Sequence, residues 1–335
     1  MTCSPSLEWL SREYHDLNGN HIEVLETPPT ALEFARSVKI SRPIVIKTSA
    51  REWSNDFLIS EMGSRLISVA ATPNGRADAV TRGPDGKLYF VEPAVEKITM
   101  ESLLANLSAE AMPDLSDAGT YYLQSQNGNV YSTRFFEGQD DPSEFEALRL
   151  YIPSEVKWCT EALDRAPDAV NLWIGDGSSV SSIHSDPYEN IYTVVRGQKH
   201  FLLLPPTDGY CLHERFYPHA TYARKPHDSE LIVQPSSKDT PPVRWASLLQ
   251  GRLPPEAHPI HVTLSENETL YIPVGWYHQV EQAGITIAIN WWYDTEMRGM
   301  NWVMLSYLRA IKEVPNTDEH EENEGMDKIR RNPLS

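Results

Sequence analysis

Apolar positions early in the chain change period every few residues. After Ser4-Pro5, Leu7, Leu10 and Tyr14 recur at helical spacing, which predicts an amphipathic helix over residues 5–17. Ile22 to Leu25 reads as a short strand, Ala31 to Val38 as a helix entered through Pro28-Pro29-Thr30, and Pro43 to Lys47 as a buried strand. Residues 79–92 suit a hairpin around Gly83-Pro84-Asp85-Gly86, and residues 99–107 suit a helix. From about residue 119 strand follows strand: Thr120 to Leu123, Ala169 to Ile174, the stretch from Val180 to Pro205, then 269–272 and 284–293. Within Val180–Pro205, Asn190 to Val195 reads as one strand, Arg196-Gly197-Gln198 as a turn, and Lys199 to Leu204 as the returning strand. Strands this frequent, with turn signals between them, predict a mainly β barrel or sandwich decorated by helices.

Residues 205–260 are rich in Pro, His and Tyr and only weakly periodic, so they are expected to form a long insertion between two strands. Residues 297–314 return to a helical period, with Met300, Val303, Met304, Tyr307, Ile311 and Val314 on one stripe. That stripe either packs on the barrel or pairs with a second copy of the chain. The acidic segment 316–335 reads as a disordered tail. The expected organisation is therefore an N-terminal α/β region over 1–118, a β barrel over 119–296, a helix over 297–315 and the tail.

At 335 residues the chain has room for one large or two ordinary domains. No apolar run approaches the length of about 18 residues that a membrane span needs, and the N-terminus lacks the pattern of a secretory signal. An intracellular, soluble protein is expected. Cys3, Cys159 and Cys211 form no CxxC pair, which excludes a disulfide framework and a cysteine-based zinc finger, and leaves Cys159 and Cys211 as packing residues. With 29 basic and 47 acidic residues the formal charge is −18, which disfavours nucleic acid and anionic membrane. The same charge suits a basic protein partner, or serves solubility alone.

The candidate chemistry begins at Ser181-Ser182-Ile183-His184-Ser185-Asp186. On a strand, His184 and Asp186 face the same way and can grip one metal ion. The triplet alone is weak, since His21/Glu23 and His320/Glu322 repeat it. His278, where a strand meets a turn and restarts, supplies a third ligand from a distant strand. Two histidines and one carboxylate match the facial triad of non-haem Fe(II) oxygenases, although a catalytic zinc site also accepts three ligands. Lys199, a cation heading an apolar strand, implies an anion if it faces inward, and the carboxylate of 2-oxoglutarate would satisfy it. If it faces outward it is a solvated hairpin end.

Several of these segments together resemble the JmjC (Jumonji-C) oxygenases: Ile183 to Asn190, Lys199-His200-Phe201, Pro205-Pro206, Tyr271-Ile272-Pro273 with Trp276-Tyr277-His278, and Ile287 to Tyr293. The resemblance runs from about residue 119 to 295 in the family's motif order. The N-terminal region is also similar to the JmjC-only protein hydroxylases, a group that includes a lysyl hydroxylase of developmentally regulated GTP-binding proteins. The resemblance implies a double-stranded β-helix (a jelly-roll, cupin-like barrel) that uses Fe(II), 2-oxoglutarate and O2. It makes His184, Asp186 and His278 the iron ligands and Lys199 the partner of the distal 2-oxoglutarate carboxylate, assisted by Tyr122 and Ser181. It places Asn190 and Asn290 along the pocket and Trp292 on its wall, and it allows a homodimer through the 297–314 helix. Lysyl hydroxylation of a basic protein is the activity it suggests first. Demethylation of N-methyl-lysine in histones, a histone-tail peptidase and a non-enzymatic, metal-clipped interaction module are the alternatives.

Overall fold

Two long strands, Tyr188–Leu204 and Tyr277–Asp294, lie antiparallel over almost their whole length and form the spine of the molecule. The computed structural model describes residues 5–49, 53–108, 119–124, 128–225, 229–246 and 253–311. In chain order its elements are α1 (Pro5–Asn18), β1 (Glu23–Leu25), α2 (Ala31–Ile40), β2 (Ile44–Lys47), α3 (Asn55–Met62), β3 (Leu66–Thr72), β4 (Ala79–Arg82), β5 (Leu88–Glu92), β6 (Ala94–Thr99), α4 (Met100–Ser108), β7 (Thr120–Tyr122), α5 (Thr133–Phe136), α6 (Lys157–Leu163) and β8 (Ala169–Gly175). They continue with β9 (His184–Ser185), β10 (Tyr188–Leu204), β11 (Arg215–Tyr217), β12 (His219–Arg224), β13 (Leu231–Pro235), β14 (Val243–Trp245), β15 (Ile260–Leu264), β16 (Glu268–Ile272), β17 (Tyr277–Asp294) and α7 (Met300–Ala310).

The main sheet has the order β1-β2-β16-β10-β17-β8. The first half of β10 pairs with β16 and the end of β17, so that Asn190 sits opposite both Ile272 and Trp292. Its second half pairs with β15 and the start of β17, where β9 joins from the other side. Two sheets that share their central strands enclose Tyr192, Val194, Phe201, Leu203, Leu270, Trp276 and Trp292 between them. This is the cupin-like jelly roll expected from the sequence. Outside it, Phe34 of α2, Leu58 and Met62 of α3 and Leu103 of α4 pack with Ile191, Val195, Trp291 and Tyr293 on the outward face of the main sheet. Entry into α2 is set by a capping box between Thr30 and Glu33, a device that contributes about 1 kcal/mol.

The turn expected at Arg196-Gly197-Gln198 is not there. β10 runs through these residues, and its register against β17 slips twice, between Val194 and Arg196 and between Arg196 and Gln198. Gly197 takes φ +78°, and a Cβ there would stand 2.6 Å from Thr286 Oγ1. The bulge reverses the alternation of the strand: Asn190 and Tyr192 line the interior before it, and Lys199 and Phe201 line it afterwards. A glycine suits a bulge as well as a turn, so the local sequence does not separate the two.

Residues 205–260 are also more ordered than their weak periodicity suggests. β12 pairs in parallel with β5 and antiparallel with β13, which extends the β4–β5 hairpin into a four-stranded sheet, and β11 pairs with β14. The strands are short and half-buried, and the partner of β12 lies far upstream, so no local pattern announces them. A buried clip ties α1 to this region: Ser11 Oγ donates to Asp208 Oδ1 (2.6 Å) and His258 N donates to Asp208 Oδ2 (2.7 Å). Ser11 is 1% exposed, so this Ser–Asp–His grouping holds elements together and has no access to substrate.

Leu305 of α7 packs over Gly275, but Met300, Val303, Met304, Tyr307 and Ile311 are exposed, so the apolar stripe does not cover its own barrel. Val314 and the 316–335 segment lie outside the described residues. Among the described residues no helix is long and apolar enough to cross a membrane.

Candidate metal centre and ligand cavity

β9 and the start of β17 place His184 directly opposite His278 in antiparallel register. Asp186 follows two residues after His184 and faces the same way. One ligand atom from each of the three residues falls within 4.8 Å of the others, and His278 Nε2 lies 3.6 Å from Asp186 Oδ2. The ring Nδ1 of His184 is 2.8 Å from the Ser182 carbonyl, and that of His278 is 3.1 Å from the Trp276 carbonyl. A carbonyl can only accept, so each ring carries its proton on Nδ1 and turns the Nε2 lone pair toward the others. Burial and the neighbouring His184 lower the pKa of His278 to about 4, which keeps it neutral and ready to ligate. Gly275 shapes the turn before β17: its φ is +78°, a Cβ would meet Leu305 Cδ2 at 2.8 Å, and its N–H donates to the Asp186 carbonyl (3.0 Å). The turn that presents His278 is thereby tied to the residue that presents Asp186.

These three residues open into a cavity of about 590 Å³ whose wall also includes Lys199, Tyr122, Ser181, Asn190, Asn290 and Trp292. Every residue singled out in the sequence for this site therefore reaches one space. Lys199 is 1% exposed, and its Nζ donates to the Tyr122 hydroxyl at 3.1 Å. Tyr192 donates to the same oxygen, which leaves the Tyr122 proton free to donate onward. Burial alone lowers the Lys199 pKa to about 7. A deeply buried ammonium and the hydroxyl of a half-buried tyrosine, both donors, form a cradle for an anion.

The two asparagines belong to a buried amide chain. Asn290 Oδ1 accepts from Trp173 Nε1 (2.8 Å) and Asn171 Nδ2 (3.2 Å), and Asn290 Nδ2 donates to Asn190 Oδ1 (3.0 Å). Asn171 Oδ1 in turn accepts the Gly128 N–H at 2.8 Å. Trp292 stacks on Tyr188 (centroids 5.2 Å apart, 7° between planes), and its buried Nε1 has no partner among the described residues. Ser181 Oγ accepts the Val280 N–H at 2.8 Å and keeps its own proton to donate.

A family model described as a cupin-like domain matches residues 29–299. The chain belongs to the cupin-like JmjC family. Among JmjC relatives, an Arabidopsis thaliana protein named lysine-specific demethylase JMJ32 is 32% identical, with 91% of each chain covered. The human protein named bifunctional peptidase and (3S)-lysyl hydroxylase JMJD7 is 35% identical over 82% of this chain and 84% of its own. A Dictyostelium discoideum protein, JmjC domain-containing protein E, is 31% identical over 86% and 88%.

Four contributors to this JmjC site escaped the sequence reading. Tyr192 stands two residues after Asn190 on the same face of β10, so the strand period could have found it. Asn171 is a lone amide in an otherwise apolar strand, which is also a readable signal. Trp245 stacks on His184 (5.8 Å, 8°), and Asp78 lines the cavity near it, yet both come from segments whose position only the tertiary fold sets. The donor set fits the family's cofactors: two imidazoles and a carboxylate suit Fe(II), and the buried ammonium suits a dicarboxylate.

Proposed function

We propose that this JmjC protein is an Fe(II)- and 2-oxoglutarate-dependent hydroxylase that acts on lysine in a basic protein, such as a developmentally regulated GTP-binding protein. The observation that carries the reading is that the buried Lys199 and its hydrogen-bond partner Tyr122 share one cavity with His184, Asp186 and His278. In it, His184, Asp186 and His278 would hold the iron, and Lys199, Tyr122 and Ser181 would hold the distal carboxylate of 2-oxoglutarate. The bound metal and co-substrate supply the oxidation of a C–H bond with O2. The chain's own residues do the placing: Lys199 and Tyr122 anchor the acid, Asn190 and Trp292 wall the reacting space, and the jelly-roll interior keeps bulk water away. The human relative's name, with its (3S)-lysyl hydroxylase activity, supports hydroxylation, and the chain's −18 charge suits a cationic substrate. The proposed partners are that basic substrate and, on the exposed face of α7, a second copy of the chain.

Demethylation is the second reading, favoured by the plant relative's name and near-complete coverage. The test is succinate formation from labelled 2-oxoglutarate with Fe(II) and ascorbate, with and without a lysine-rich GTP-binding protein and beside His184→Ala. Hydroxylation predicts substrate-stimulated turnover, lost in the variant, and the gain of one oxygen on the partner. Turnover only with methyl-lysine peptides would replace it by demethylation. Cleaved peptide without succinate would replace it by peptidase activity. No turnover despite bound iron would leave a binding module.

A further inference from the structure

The cavity is closed on one side by residues from outside the barrel. Asp78 precedes β4, Phe90 and Glu92 belong to β5, and Trp245 ends β14. Trp245 lies parallel to the His184 ring and packs against Phe90 with centroids 4.6 Å apart, so an aromatic wall leads to the metal centre. Its indole Nε1–H donates to Ser182 Oγ at 3.0 Å, and Ser182 Oγ donates to the Asp78 carbonyl. The aromatic wall and Asp78 are thus fastened to the residue two before His184.

We propose that this side of the cavity is the subsite for a substrate side chain with an aliphatic stem and a cationic head, with the stem along Phe90 and Trp245 and the head at Asp78 and Glu92. The inference rests on the proposed function and names the residues that would select its lysine. Four observations converge on it. Two carboxylates and two aromatic rings line the space, a combination that favours a cation over a neutral or anionic group. Apart from Lys199, no lysine or arginine lines the cavity among the described residues. Ser179 Oγ, in a residue 5% exposed that lines the same cavity, is buried with no partner among the described residues, so a polar atom there awaits a ligand. Asp78 lies close enough to Glu92 for each to feel the other's charge, and Gln124 Nε2 donates to Asp78 Oδ2 beside them, so acceptor oxygens cluster at this end of the cavity. Glu92 contacts the His219 ring at 3.4 Å, lines the cavity and keeps half of its side chain exposed.

The probe is n-butylammonium, the lysine side chain without its backbone, with n-butanol as its neutral counterpart. The readout is the indole Nε1–H signal of Trp245 in ¹H–¹⁵N NMR spectra, assigned with Trp245→Phe. Saturable shifts with n-butylammonium, at least about tenfold weaker with n-butanol and in Asp78→Asn, and weakened about threefold in the exposed-site variant Glu92→Gln, are the expected result. Equal responses to amine and alcohol, or unchanged amine binding in both variants, would overturn the subsite. Mn(II) binding by the same samples reports on the metal centre separately. Metal bound normally without amine selectivity sinks the subsite and leaves the oxygenase reading standing, whereas amine selectivity without metal binding does the reverse.

Discussion

Lys199 Nζ and the Tyr122 hydroxyl meet at 3.1 Å although 77 positions separate them, and among the described residues the ammonium has no carboxylate partner beside it. Burial holds its pKa near 7 instead of 10.5, so the empty pocket loses this proton as pH rises through 7. An anion that binds there restores it. The affinity for 2-oxoglutarate is therefore expected to fall about tenfold per pH unit above 7, with uptake of one proton. Calorimetry at pH 8 in buffers of different ionisation heat measures that uptake, and an identical heat in all buffers would exclude Lys199 as the acceptor. Folding responds with the opposite sign. The unfolded chain keeps the Lys199 proton up to 10.5, so the cost of burying the charge is full below pH 7 and is relieved as pH rises from 7 to 10.5. Lys199→Met is expected to abolish that rise while it weakens 2-oxoglutarate binding at every pH.

The bulge at Gly197 decides that Lys199 faces inward. Gly197→Ala places a Cβ against Thr286 in a left-handed backbone conformation, at a cost of about 2–3 kcal/mol. Urea unfolding is expected to show that loss, together with weaker 2-oxoglutarate binding because Lys199 shifts with the strand. A variant with wild-type affinity would show that the bulge and the anion site are independent.

Asn290 is the node of the amide chain. Asn290→Leu leaves Trp173 Nε1, Asn171 Nδ2 and Asn190 Oδ1 without their partner. Each buried orphan costs about 1–3 kcal/mol and the three share one site, so a total near 3 kcal/mol is expected in chemical denaturation. A change below about 1 kcal/mol would mean that water already serves these groups.

The exposed stripe of α7 carries Met300, Val303, Met304 and Tyr307, 49–78% exposed. If a second copy covers it, sedimentation of the wild type gives twice 38.0 kDa, and the double variant Met304→Glu, Tyr307→Glu sediments as a folded monomer whose Tm no longer depends on protein concentration. A monomeric wild type would leave that face to another partner.

The sequence by itself determined the fold class and the three residues that meet at the candidate metal centre. His184 and Asp186 share a face through the strand period, and the order of the motifs around His278 carries the jelly roll, because both are local patterns repeated along the chain. The tertiary structure decided what depends on distant pairing. Glycine at 197 permits a turn or a bulge, and only the register against β17 selects the bulge and turns Lys199 inward. Likewise β12 has little strand signal of its own and forms because β5, far upstream, offers it an edge. Trp245 and Asp78 reach His184 for the same reason: side chains from separate segments meet only where long-range pairing brings their backbones together, and no local period encodes that meeting.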